Sequence, residues 1–192
     1  SDDKTIRYIE EALLELNLEI LNKLKSKNTN VCSISPKENN VINIIPESKE
    51  LGYVGKPKKI NKEKILNFIN NKQIPIVVPL GLGDDGRIYN INADVAAGSI
   101  AKEIDARRLL LMTDVEGVLD QNQKLISEIN LNKANEMLKN NIISGGMIPK
   151  INTCLDAISN GVRGVVIVDG RKPHSILFEL FSDKGAGTLI RK

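Results

Sequence analysis

The sequence predicts an α/β protein, a three-layer αβα sandwich around a mostly parallel sheet, and three observations lead there. Short, strongly apolar runs occur at 74–80, 107–113 and 164–170, the pattern of strands buried on both faces. The segments between them carry apolar residues at helical spacing, and strands that alternate with helices need crossover connections, which make neighbouring strands parallel. Glycines and polar residues follow each apolar run directly, where ligands collect in open parallel sheets.

Taken in order, Ile6, Ile9, Leu13, Leu16, Ile20 and Leu24 fall three and four residues apart. They predict a long amphipathic helix over 1–27 with Ser1 or Asp2 as its cap. β-Branched runs at 31–34 and 41–45, separated by the polar stretch SPKENN, predict a hairpin. Residues 50–60 hold two glycines and a proline and read as a loop. A short helix over 61–70, capped by Asn61, leads into the single buried strand expected at 74–80. A turn, a short strand ending near Asn90 and an alanine-rich helix from about Ala93 follow, then the strand at 107–113. Helices are expected at 132–138 and 147–159, a third buried strand at 164–170, a helix at 173–181 and a last strand from Gly187.

Composition narrows the function. The 192 residues carry 27 basic and 24 acidic side chains, a net charge of +3 spread along the chain, which does not indicate a nucleic-acid or membrane partner. Aromatic residues make up only 3%, too few for stacking platforms that hold single-stranded nucleic acid. Cys32 and Cys154 belong to no Cys-x-x-Cys or histidine cluster, so neither a disulfide framework nor a zinc site is signalled, and no metal ligands are assigned. No apolar run approaches the roughly 20 residues of a membrane span, and a reduced, cytoplasmic setting is the expectation.

Three motifs can carry chemistry. In YNINAD, Asn90, Asn92 and Asp94 alternate where an extended segment turns into a helix, so amides and a carboxylate project beside helical N–H groups. This arrangement suits an anionic substrate, and it equally suits a plain helix cap. TDVEGV places Thr113, Asp114 and Gly117 in a tight loop after a strand, a fair shape for a nucleotide edge and also for a simple turn. SGGMIPK sets Gly145, Gly146 and Met147 at a helix start with Lys150 in its first turn, where N–H groups and an ammonium can converge on phosphate. The spacing is not that of a Walker loop, and a glycine turn beside a solvated lysine is the simpler reading. His174, the only histidine, stands at a helix start and is assigned no catalysis.

GYVGK, PLGLGDDGRIYNINADVAAGSIA, LLLMTDVEGVLD, SGGMIPK and KGAGTLI, in this order and spacing, resemble the N-acetylglutamate kinases of the amino-acid kinase family along essentially the whole chain. The resemblance implies phosphoryl transfer from ATP, accompanied by Mg2+, to the side-chain carboxylate of N-acetyl-L-glutamate in arginine biosynthesis. It implies Lys150 and Asp94 as catalytic residues, Asn90 and Asn92 on the substrate, and Thr113, Asp114, Gly117, Gly145, Gly146 and Met147 on the nucleotide. It further implies a homodimer or higher homo-oligomer, a single partial kinase domain over 1–192, and a division of that domain into a substrate and dimer lobe (1–80) and a nucleotide lobe (81–192). Family members carry roughly a hundred residues ahead of this point, with a Lys-x-Gly-Gly phosphate loop. The chain therefore reads as a C-terminal portion, expected to be inactive in isolation. Glu179 and Gly185 match the arginine-regulatory site of the family, whereas Val166 stands where a histidine is usual, so feedback inhibition is not expected. The rival readings are a kinase acting on a carrier-linked aminoadipate and a non-catalytic fragment that only binds nucleotide or dimerises.

Overall fold

In the computed structural model, which describes all 192 residues, the chain packs as two compact units, Ser1–Ile104 and Asp105–Lys192. The first holds α1 (Asp3–Lys25), β1 (Val31–Ile34), β2 (Ile42–Pro46), β3 (Gly55–Ile60), α2 (Lys62–Asn70), β4 (Ile74–Val77), β5 (Leu80–Gly83), β6 (Ile88–Asn90) and α3 (Ala93–Glu103). The second holds β7 (Leu109–Thr113), β8 (Glu128–Asn130), α4 (Leu131–Lys139), α5 (Met147–Ser159), β9 (Gly164–Asp169), α6 (Ser175–Phe181) and β10 (Gly187–Arg191). The α/β class holds, with mixed sheets: β1–β4, β2–β5, β7–β9 and β8–β10 pair parallel, while β2–β3, β5–β6 and β9–β10 pair antiparallel.

α1 begins where expected, with the Asp2 side chain accepting from Thr5 N–H at 2.7 Å. Its inward face is rotated from the stripe read in the sequence: Ile6, Asn17 and Leu21 are buried, whereas Leu16 and Ile20 remain 51% and 37% exposed. Asn17 is the reason the face can turn. Its amide donates to Ile76 C=O at 3.0 Å and its carbonyl accepts from Ser33 Oγ at 2.7 Å, so a polar side chain on the helix fastens β1 and β4 while every one of its buried polar atoms is paired.

The hairpin expected over 31–45 does not form. The turn between its two halves does exist, with Ser35 N–H bonded to Glu38 C=O at 2.8 Å and Asn39 at φ +60°. It redirects the chain instead of folding it back: β1 pairs in parallel with β4 and β2 pairs antiparallel with β3. The run 74–80 likewise divides into β4 and β5. Val78 N–H still bonds to Ile34 C=O on the β1 side, but Pro79 has no N–H to extend the ladder, and Leu80 turns onto Val78 C=O at 2.8 Å before joining β2. Residues 55–60, read as loop, are β3. This strand is the edge of its sheet, order β3-β2-β5-β6, and its exposed Lys56, Lys58 and Lys59 and its Pro57 are what keeps such an edge from pairing further. β8, three residues long, also went unread; it is recruited by β10.

In the second unit the order is β7-β9-β10-β8. All six residues of β9 are buried, so both of its faces are covered, and α5 and α6 are the helices that pack on it. The register sets Thr113 beside Asp169 at the C-terminal ends of β7 and β9.

Replacing Asn17 with Ala leaves Ile76 C=O and Ser33 Oγ without their partner, and the expected loss is about 1–3 kcal/mol. Urea unfolding of the two proteins measures it; equal midpoints would show that the bonds contribute nothing.

Candidate active site

The polar residues at the ends of β6, β7 and β9 and at the start of α5 are presented by different elements, each for a local reason. Asn90 closes β6, half-buried, held by its own N–H on Tyr53 C=O at 3.0 Å. Asn92 caps α3, its side-chain oxygen accepting from Asp94 N–H at 3.0 Å and Val95 N–H at 3.2 Å. The capping alternative is therefore realised at Asn92, and only its amide N–H groups remain to meet a ligand. Asp94 lies in the first turn of α3, half-buried. These three belong to the first unit, and the remaining candidates to the second.

At the end of β7, Thr113 Oγ1 donates to Asp114 Oδ1 at 3.2 Å, and the loop then turns through Gly117 at φ +148°. A side chain there would meet Thr188 Oγ1 at 2.5 Å. That same hydroxyl, fully buried, accepts from Val118 N–H at 2.8 Å and donates to Ile126 C=O at 2.6 Å. Thr188 thus pins the far end of the loop.

α5 starts at Met147 with Gly146 as its cap and no capping side chain; Met147 N–H donates to Ser144 C=O at 3.3 Å and Ile148 N–H to Gly145 C=O at 3.2 Å, and Pro149 has no N–H to give. Gly145 has φ +55°, a conformation glycine adopts without strain. A Cβ at Gly145 or Gly146 would meet no atom within 4 Å. The protein leaves open space at the mouth of this helix, where a ligand can approach the backbone. Lys150 stands in the first turn of α5, half-buried.

A cleft of about 200 Å³ is lined by residues of both motifs, Val115, Gly117 and Leu119 with Ile143, Ser144 and Met147, and by the polar Asp120 and Gln123. It is smaller than the roughly 300–1,000 Å³ of pockets that enclose a whole ligand, so it suits a part of one. The wider groove beside α6, about 570 Å³ and lined by His174, Leu177, Phe178, Phe181 and Ser182, contains none of the candidate residues.

Asp169 is a further buried acid, hidden in the sequence at the end of an apolar run. Its side chain is almost fully buried, yet it accepts from Arg171 Nε, Arg171 NH2 and Arg171 N–H, each at 3.0 Å. The Arg171 bonds hold its carboxyl at about 2, below its ordinary 3.8. The available signal was local: an acid at a strand end, a glycine, then an arginine.

The fold and these motifs define an α/β kinase, and the chain belongs to the amino acid kinase family, whose model matches residues 1–169. An acetylglutamate kinase from Pelagibacter ubique (strain HTCC1062) is 54% identical over 192 residues, covering all of this chain and 67% of that enzyme. An acetylglutamate kinase from Clostridioides difficile (strain 630) is 44% identical over 197 residues, covering all of this chain and 69% of that enzyme. Among solved structures, the smu.665 protein of Streptococcus mutans UA159 has a TM-score of 0.84 at 31% identity, covering all of this chain and 73% of that one. Carbamate kinase from Giardia lamblia, at 18% identity and a TM-score of 0.66 over 89% of this chain and 65% of that one, shares the fold.

Because the folded pKa of Asp169 lies below its unfolded value, its bonds contribute stability in full above pH 3.8, and this is lost as pH falls toward 2. Asp169→Asn is expected to flatten the fall in melting temperature between those limits. Parallel acid limbs for the two proteins would disprove the assignment.

Proposed function

We propose that the chain serves the ATP-dependent phosphorylation of the side-chain carboxylate of N-acetyl-L-glutamate, a step of arginine biosynthesis. The observation that carries this reading is the cleft lined by both Gly117 and Met147, next to the glycine turn that opens α5. Phosphoryl transfer asks little covalent help of a protein and much positioning and positive charge. In this reading the cleft takes the base between apolar side chains, with Asp120, Gln123 and Ser144 as polar groups for its edge, and Thr113 and Asp114 precede it in the same loop. The backbone at Gly145 and Gly146 approaches the phosphates, with the α5 N-terminus contributing its partial positive charge.

Lys150 stabilises negative charge as it spreads over the transferring oxygens. Asp94 organises the cationic side chains, and Asn90, with the Asn92 amide, holds the acceptor's α-substituents. In this reading the lobe boundary lies at the end of the first unit, Ile104, instead of at residue 80, which keeps Asn90 with the substrate. Magnesium enters with ATP: no group of three or more His, Cys, Asp or Glu side chains is placed to hold a metal ion, so the chain offers no cage of its own and the phosphate oxygens would supply ligands. Both named relatives, at 54% and 44% identity, are acetylglutamate kinases, which favours this acceptor over a carrier-linked aminoadipate. No helix is long and apolar enough to cross a membrane. The outward Leu16 and Ile20 of α1, one turn apart, suit contact with a second copy. Replacing both with Lys is expected to halve the mass measured by sedimentation equilibrium; an unchanged mass would place the contact elsewhere.

Steady-state kinetics on the full product of the reading frame tests the roles. Lys150→Met is expected to lower kcat by about a hundredfold to a thousandfold, the scale of other single electrostatic contacts to a transition state, with little change in KM for N-acetylglutamate. Asn90→Ala is expected to raise KM for N-acetylglutamate and leave that for ATP nearly unchanged. If Lys150→Met alters only KM for the amino acid, the assigned roles fail.

A further inference from the structure

The loop that follows β7 is acidic, and a second loop holds it through groups that the transfer chemistry does not use. Asp169 ends β9 beside Thr113, and its buried carboxylate locks the Arg171 guanidinium in a two-pronged bond. The guanidinium so fixed lies in the field of Asp114 and Glu116. Lys172 Nζ bonds Glu116 Oε1, and Gly170 N–H donates to Thr113 C=O at 2.8 Å. Loop 170–172 thus meets loop 113–116 by a backbone bond and an ion pair. Thr188 holds the other end of the same loop at Val118.

Two carboxylates on a loop that borders the cleft make the approach of a polyanionic nucleotide less favourable, and a mobile loop would have to be ordered on binding. We propose that Arg171, locked by Asp169, and Lys172 are positioning residues for the nucleotide: they neutralise Asp114 and Glu116 and hold loop 113–117 in its binding conformation before ATP arrives. This rests on reading the cleft as the nucleotide site. Arginine suits position 171 because a planar fork bonds both carboxylate oxygens while its charge still faces the neighbouring loop, and lysine has no such fork. Lys172 and Glu116 are half-exposed, at 52% and 51%. Their pair is therefore worth little for stability and matters through where it holds the loop.

The test compares KM for ATP, KM for N-acetylglutamate, kcat and melting temperature in the full reading-frame product and its variants. Arg171→Ala is expected to raise KM for ATP about tenfold with kcat and the acceptor KM within about twofold, the split of lost binding rather than lost chemistry. Arg171→Lys should recover only part of it. Lys172→Glu and Glu116→Lys should each raise KM for ATP, and the two together should restore it, because the swap re-forms the pair with its charges exchanged. A purely structural role would lower melting temperature without rescue by the swap. An unchanged KM for ATP in Arg171→Ala, or a double variant no better than the singles, overturns the proposal. Should Arg171→Ala fail to fold, the exposed Glu116 and Lys172 variants decide alone. Gly146→Ala separates the two readings, because its added Cβ meets no atom within 4 Å and so tests ligand approach rather than packing. If it weakens ATP binding while the Arg171 and Lys172 variants do not, only the positioning role falls; if ATP binding ignores Gly146→Ala as well, the nucleotide reading falls with it.

Discussion

Much of the second unit hangs on the parallel register of β7 against β9, in which Leu109 stands opposite Val165 and Thr113 opposite Asp169. Every residue of β9 is buried, so a slip of one position would turn its apolar side chains to the opposite faces and bring different residues to the strand ends. With the register set, Thr113 and Asp169 emerge together, and the Gly170 N–H reaches Thr113 C=O. The acidic loop, the Arg171 fork and the Lys172 bond to Glu116 all follow from that placement. Only Gly tolerates the approach of Thr188 at position 117, and the loop so confined forms one wall of the cleft.

The opposite wall is built from different physics. α5 starts at a glycine pair with no capping side chain, so the fold forgoes the stabilisation that a Ser or Asp cap would contribute there. α3, in the first unit, does the reverse: Asn92 satisfies two N–H groups at its start. One helix mouth is closed by a side chain, and the other by the backbone turn that precedes it, with space left beside its glycines. What α5 offers a ligand is close approach to the glycine backbone, because Met147 and Ile148 N–H already bond Ser144 and Gly145 C=O. It also accords with a reaction whose demands are orientation and charge.

Within the family, the same chain carries elements of two kinds. β1, β4 and α1 are joined by a buried polar side chain, Asn17, which fixes how the helix lies on the strands. β3 does the opposite work, ending a sheet with lysines and a proline.

By itself the sequence determined the α/β class, the helices and the chemistry-bearing motifs, because helix spacing, caps and glycine turns are local signals. α5 runs from Met147 to Ser159 as its residues predict, and β7 and β9 lie where the apolar runs are. Tertiary structure alone decided the partners. Nothing in residues 31–34 announces that β1 pairs in parallel with β4 some forty positions later, since a parallel partner is distant in sequence and leaves no turn to mark it. β3 was hidden by its glycine, proline and lysines, and it is a strand only because β2 offers its edge. Asp169 stands at the end of an apolar run, and its bonds to Arg171 are local; what tertiary structure decided is its burial and its place beside Thr113, because the partner of β9 is set by packing and not by spacing.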